Sequence, residues 1–366
     1  MRQGHGRLDP FLIALSLLVT SAVAPAPGEV VDLDFGPLPV ADAGTPGPSL
    51  SVVKVRGAGG PCQDALYLLT VRGELEDLFR QENRRAIDHP MIEETWRFCS
   101  AFSTHAGDDV LVGRNWDNQN VGSVIVSYCR APGRHASISF CRAIDLGYPL
   151  NLDLEQLAST ELGERLQLAP FYAMDGINEH GLAVAVTGVA QTTHEARDDG
   201  PLIFVTYLVR KILDRARDVD EAVELAESHI PFDLDRNSLN AHFLIADSAG
   251  RSVILEHDQE RWRAVRGDGA WQALTNKPVH GVPDASLRER CWRYRSIAGS
   301  LEGWDEAGDW RTAMRVLRDV KQDGTTWSVV YSPVSRQVHC AVYQDWDTVY
   351  RLDALAAGGS ERATAR

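Results

Sequence analysis

The sequence predicts an α+β protein. Short alternating apolar runs occur in blocks, and helical periodicities occur in pairs between those blocks. The regular strand–helix–strand alternation of a parallel sheet is missing. That order suits mainly antiparallel sheets with helices packed outside them. No internal repeat is visible.

The elements follow in chain order. Residues 49–57 alternate as a short strand, and Glu74 to Ile87 carries Leu75, Leu78 and Phe79 at helical spacing. Strands are expected over Cys99–Ser103, Val110–Asn115, Ser123–Tyr128, Ser137–Cys141 and Gly181–Thr187, broken by Gly, Asp and Pro. Leu202–Leu213 and Val219–Ser228 repeat apolar residues every three or four positions and read as a helix pair. Strands return at Ala241–Ala246, Val253–His257 and Trp262–Val265. A second helix pair covers Leu287–Leu301 and Trp310–Val320. Trp327–Tyr331, Val338–Val342 and Thr348–Leu352 close the chain as strands.

The first residues form a separate unit. Arg2 and Arg7 give a positive start, Phe11 to Ala24 is largely apolar, and Ala22-Val23-Ala24 has the small-x-small pattern of a signal-peptidase site. The run is short of the roughly 20 apolar residues that span a bilayer. Residues 1–24 are therefore read as a signal peptide of a secreted or periplasmic protein, with an uncleaved anchor as the alternative. Residues 25–48, rich in Pro, Gly and Ala, are read as a linker. Residues 49–98 are an upstream segment, 99–355 the main domain and 356–366 a disordered tail. No later stretch is apolar enough to cross a membrane.

With 37 Lys and Arg against 51 Asp and Glu, the net charge is −14, which excludes the basic footprint of a nucleic-acid binder. The six cysteines are Cys62, Cys99, Cys129, Cys141, Cys291 and Cys340, too few in 366 residues for a disulfide scaffold. None form a C-x-x-C pair, so a structural zinc site is not expected, and neither a metal nor another cofactor is called for. The eleven histidines include no Cys–His protease motif.

The informative stretch is Phe98-Cys99-Ser100-Ala101-Phe102, a gap, and Val112-Gly113-Arg114-Asn115-Trp116-Asp117. It sets a thiol at the start of one strand and an Arg/Asp pair on the next, and a hairpin of this length brings them together. A nearby cation lowers a thiol pKa, and Arg114 could supply it. Taken singly, a buried cysteine is as consistent with a core position, and an Arg/Asp pair with a structural ion pair.

This stretch resembles the nucleophile region of the choloylglycine hydrolase and penicillin acyltransferase superfamily, the N-terminal-nucleophile hydrolases of linear amides. Cys99-Ser100 and Gly113-Arg114-Asn115-Trp116-Asp117 match the family pattern in order and spacing. So do Met174-Asp175-Gly176-Ile177-Asn178-Glu179-His180-Gly181-Leu182-Ala183-Val184, Leu274-Thr275-Asn276-Lys277-Pro278, the arginine-bearing helix from Ser286 to Arg295, and the final Thr325 to Tyr331. The likeness runs from about 98 to 350. Family members often carry Gly before the nucleophile, where this chain has Phe98.

The resemblance implies a four-layer αββα fold of two stacked sheets between helix layers. It implies a small-molecule amide as substrate and no cofactor. Cys99 would be the nucleophile, exposed as a new N-terminus by self-cleavage after Phe98. Its α-amine, with a pKa of about 7.7–8.0, would act as its own base. Arg114 would stabilise the thiolate, Asp117 would hold the amine, and Asn276 would donate to the oxyanion. Arg290 would complete the charge network, with Arg288 and Arg293 as other registers of the same motif. A backbone N–H near Thr187-Gly188-Val189 would be the second oxyanion donor, and Asn178 a turn residue. The upstream piece would stay as a small subunit or be discarded, and a homo-oligomer is possible. An acyltransferase and an inactive binding homologue are the alternatives to a hydrolase.

Overall fold

The computed structural model describes residues 29–35, 49–56, 65–88, 98–118, 122–149, 153–158, 160–193, 201–233, 238–258, 261–305 and 307–354. The signal-type segment, Cys62 and the tail after Ala354 lie outside the described residues, as does most of the linker.

Two large sheets dominate. The first has seven strands in the order Glu29–Asp32, Thr348–Asp353, Gln337–Val342, Thr325–Ser332, Asp109–Asp117, Ser100–Ala106 and Trp271–Leu274. The second has nine: Trp262–Arg266, Ser252–His257, Ser238–Ala246, Ala183–Thr193, Asp175–Asn178, Ser137–Arg142, Val124–Arg130, Leu66–Arg72 and Ser49–Arg56. Pairing is antiparallel except at two places. Glu29–Asp32 runs parallel to Thr348–Asp353, and Leu66–Arg72 runs parallel to Val124–Arg130.

The period-two alternation of a strand explains the layers. On Asp109–Asp117, Val112 and Trp116 face the nine-stranded sheet and join its core, whereas Leu111 faces the other way. On the neighbouring strand Ala101 is inward and Phe102 outward. The outward face is covered by helices Asp284–Arg290, Trp292–Glu302 and Trp310–Asp319 through Leu287, Tyr294, Ile297, Leu301, Met314 and Leu317. Helices Val205–Arg215 and Val219–Glu227 cover the far face of the nine-stranded sheet. The order is helices, sheet, sheet, helices, as the resemblance implies. Among the described residues no helix is long and apolar enough to cross a membrane.

Some expectations are corrected. The linker 25–48 contains a strand, Glu29–Asp32, whose Asp32 pairs with Arg351 through two hydrogen bonds of 2.6 and 2.9 Å. Leu66–Arg72, unassigned from sequence, is a nearly continuous apolar strand without alternation, the pattern of a strand covered on both faces. Asp175–Asn178 and Trp271–Leu274 are too short to show a period. Leu202–Phe204 is extended, pairing with Ile230–Phe232, before its helix begins at Val205. The helix expected over Leu287–Leu301 breaks at Cys291, which is extended at φ −138°, ψ 109°.

Gly113 shows how closely the hairpin packs. It sits opposite Phe102 across the ladder, and a Cβ there would come within 2.4 Å of the Phe102 ring. That ring is fully buried and cannot swing away. Gly113→Ala is expected to cost about 1–3 kcal/mol through overpacking and to lower Tm in a thermal melt. Gly269→Ala, where a Cβ would meet nothing within 4 Å, is the control and should leave Tm in place.

Candidate active site

Hairpin register places the first three residues. Ala101 stands opposite Arg114 and Ser100 opposite Asn115, so Cys99, one step earlier, comes level with Trp116, between Arg114 and Asp117. The thiol is fully buried. Arg114 Nη2 is 4.0 Å from its sulfur, and the Asp117 backbone N–H donates to it. Burial pushes the Cys99 thiol up, opposed by Arg114 and then by Arg293, while Asp117 adds to the rise.

Arg114 is held at Nε and Nη2, while its buried Nη1 has no hydrogen-bond partner. Its Nε is 2.9 Å from Asp175 Oδ2, and its Nη2 donates to the Val186 carbonyl at 2.8 Å. The guanidinium lies 4.6 Å from the Trp116 ring and 5.4 Å from that of Trp327, and those indoles stack on each other. Asp175 also accepts from Trp327 Nε1 at 3.0 Å and from the Tyr331 hydroxyl. Asp175 was not singled out from sequence, where its motif reads as a turn. An acidic residue on a short strand between apolar neighbours was the available signal.

Asp117 is buried behind the thiol. Its Oδ1 accepts from Thr325 Oγ1 at 2.5 Å, whereas its Oδ2 has no hydrogen-bond partner and stands 4.0 Å from Arg293 Nη1. Burial pushes the Asp117 carboxyl up to about 7, more than Thr325, Arg293 and Arg114 draw it down.

The structure does not bring Arg290 to the site. It is exposed at the end of its helix, and Arg293 occupies the place instead. The break at Cys291 restarts the helix at Trp292 and turns Arg293 inward. Arg293 Nη1 donates to the carbonyls of both Phe98 and Cys99, the latter at 2.5 Å. Its Nη2 donates to Asn276 Oδ1 at 2.6 Å. Arg288 faces outward, bound to Asp284 and Glu302.

Asn276 sits on a loop tied at both ends. On one side the Thr275 carbonyl accepts from Thr187 Oγ1 at 2.9 Å and from His242 Nε2 at 2.7 Å. On the other, Glu256 accepts from the Val279 and His280 backbone N–H groups, both at 2.8 Å, and its Oε1 lies 2.8 Å from His242 Nδ1. Burial works to raise the Glu256 carboxyl, but its bonds to His242 and the two N–H groups hold it below the usual carboxylate range. Asn276 itself donates to the Gly188 carbonyl at 2.7 Å. His242 and Glu256 face each other across one hairpin, 14 residues apart, but no motif marks the pair in the sequence. Asn178 is a turn residue: its side chain binds the His180 and Leu182 N–H groups and the Leu213 and Ala216 carbonyls.

One thiol, one carboxylate with an open oxygen, two guanidiniums and an amide thus converge on the Phe98–Cys99 junction. The family model of the linear amide C–N hydrolases, choloylglycine hydrolase family, matches residues 99–295, more than half of the chain. The chain belongs to that family and is a linear amide C–N hydrolase of the N-terminal-nucleophile class. Two solved structures of conjugated bile acid hydrolase from Clostridium perfringens, a mutant and another variant, share its fold at TM-scores of 0.54 and 0.52. Each is 14% identical and covers 70% of this chain and 92% of its own. Penicillin V acylase from Agrobacterium tumefaciens aligns at a TM-score of 0.50 and 15% identity, over 70% of this chain and 86% of its own. A comparison with curated protein sequences finds no match.

The raised Asp117 carboxyl has a pH consequence. The native state keeps a proton that the unfolded chain releases near the ordinary carboxylate value. The stability it contributes is fully present below about 4 and is lost as pH rises through about 7. Melts of a Cys99→Ala chain from pH 4 to 7 should show a fall in Tm that is shallower in Cys99→Ala/Asp117→Asn. Parallel curves would refute the raised carboxyl.

Proposed function

We propose that the chain is an exported precursor that cleaves itself between Phe98 and Cys99, then hydrolyses linear amides through an acyl-cysteine. The observation that carries this reading is Asp117 Oδ2, a buried carboxylate oxygen with no hydrogen-bond partner beside a buried thiol. An unpaired buried polar atom is costly. An ammonium group at Cys99 would satisfy it and return Asp117 to its ionised state.

In the first reaction Cys99 Sγ attacks the Phe98 carbonyl carbon. The carbon–sulfur bond forms and the carbon–nitrogen bond breaks, while the Cys99 nitrogen takes up the proton lost by the thiol. Arg293, already bound to the Phe98 oxygen, faces the negative charge that develops there. Water then hydrolyses the thioester, leaving a Phe98 carboxylate and a free Cys99 amine. In the second reaction that amine takes the thiol proton as Sγ attacks a substrate amide, then gives it to the leaving amine. Asn276 and Arg293 receive the oxyanion, and water releases the acyl group.

The upstream piece is expected to remain bound. Its strand Leu66–Arg72 lies inside the nine-stranded sheet, with Leu66, Tyr67, Leu68, Leu69 and Val71 all buried. Burial of five such side chains is worth on the order of 10 kcal/mol before entropy.

Intact-mass analysis of purified wild type should give two pieces ending and starting at Phe98 and Cys99, eluting together on native gel filtration. Cys99→Ala should stay whole. A cut in Cys99→Ala would assign the cleavage to another protease, and an uncut wild type that hydrolyses amides would sink the N-terminal-amine mechanism. Asn276→Ala should lower kcat roughly 10²–10³-fold, the loss typical of one oxyanion donor, with only a small fall in Tm. Equal loss of both would make the asparagine structural.

A further inference from the structure

We propose that His135, Glu179 and His180 form a binding site for one divalent transition-metal cation of the zinc class, separate from the amide-hydrolysing centre. The register creates the site. Ser137 pairs with Asn178, and Glu179 N donates to the Ala136 carbonyl, so one step further His135 comes to lie opposite His180. The three ligand atoms lie within 4.8 Å of one another. His135 Nδ1 is 3.1 Å from His180 Nε2 and 3.7 Å from Glu179 Oε1. A tetrahedral zinc with bonds of 2.0–2.1 Å sets its ligands roughly 3.3 Å apart.

The groups behind these atoms orient them for a cation. His135 Nε2 lies 3.2 Å from the Arg215 carbonyl, which can only accept, so the ring proton sits on Nε2. Nδ1 then directs a lone pair into the cluster. Glu179 Oε1 is fixed by the Ala136 N–H at 3.1 Å. A ligating imidazole held by a backbone carbonyl at its other nitrogen is the usual outer arrangement of a protein metal site. The Arg215 carbonyl also belongs to the C-terminal end of helix Val205–Arg215, the end that favours positive charge.

The donor set selects the metal. Two imidazoles and one carboxylate suit a borderline cation rather than calcium or magnesium, which prefer all-oxygen shells. Arg217 and Arg336 stand near enough to act on His180 and oppose a cation, while Glu179 and the helix carbonyls favour it. All three ligands are half-buried, leaving the fourth position to water. A bound cation would staple the turn after Asp175–Asn178 to the loop before Ser137–Arg142. The site carries no C-x-x-C spacing that would mark it in the sequence. These ligands are joined by sheet pairing instead.

The test uses the full chain, stripped with a chelator, dialysed and titrated with Zn²⁺ by calorimetry, with Co²⁺ as the spectroscopic probe. Wild type should bind one more equivalent than His180→Gln and should gain Tm with Zn²⁺ where the variant does not. The Co²⁺ complex should show tetrahedral d–d bands without a thiolate charge-transfer band, which separates this site from metal captured by Cys99. Glu179→Gln, able to keep the Ala136 bond, is the second variant and should weaken binding at least tenfold. Equal stoichiometry in wild type and both variants, or a thiolate band that accounts for all the bound Co²⁺, would overturn the proposal.

Discussion

The structure depends on one buried ion pair that pins two sheets together. Arg114 belongs to the seven-stranded sheet and Asp175 to the nine-stranded one, and both are fully buried. Burial pushes the Asp175 carboxyl up, against the pull of Arg114, Tyr331 and Trp327. A buried charge missing its partner costs several kcal/mol. Asp175 is therefore surrounded by donors from the opposite sheet, and Arg114 is flanked by two indoles and the Val186 carbonyl. The pin fixes how the inner faces of the two sheets meet. It also fixes the point where Cys99 enters.

The same pin explains why the thiol depends on charges set at different depths. Arg114 cannot move to meet Cys99, because its Nε is committed to Asp175 and its Nη2 to Val186. It offers the sulfur a long contact of 4.0 Å, which opposes the rise that burial gives the thiol but is too far to tie the sulfur down. Asp117 is at hand on the same strand, one oxygen held by Thr325 and the other facing Arg293. A fixed cation and a carboxylate with a free oxygen bracket the first residue of the neighbouring strand. That is the environment a terminal amino group adjoining its own nucleophile requires.

Much of this was legible in the sequence, for identifiable reasons. Cys99, Arg114 and Asp117 lie on one hairpin, so local spacing carries their relation. Asn276 is marked by its loop motif. Asp175 also lies in a motif, but the motif reads as a turn and does not show its role, which exists because Trp327 and Tyr331, some 150 residues on, reach across the interface between the sheets. The arginine assignment failed for a local reason. A continuous helix over Leu287–Leu301 leaves Arg288, Arg290 and Arg293 as alternative registers, and one extended residue, Cys291, resets the face. Leu66–Arg72 was passed over because a strand covered on both sides shows no alternation, which hid how deeply the upstream segment is built into the fold.

Arg293 joins the two proposed reactions. In the uncut chain it touches the carbonyl on either side of the Phe98–Cys99 bond, the side-chain oxygen of Asn276 and the open side of Asp117. The chain's own amide is thus presented to the thiol by the residues that would later receive a substrate amide. Phe98 is exposed at 42% while Cys99 is fully buried, so the bond lies where the surface gives way to the interior. Once cut, the Phe98 carbonyl can leave, and the Nη1 donor it occupied becomes free. The Cys99 carbonyl stays covalently in place and continues to hold Arg293, and with it Asn276, in register with the sulfur. On this reading no donor has to be built for the second reaction. The first one vacates it, and the precursor's own peptide bond serves as the template against which the oxyanion site is folded.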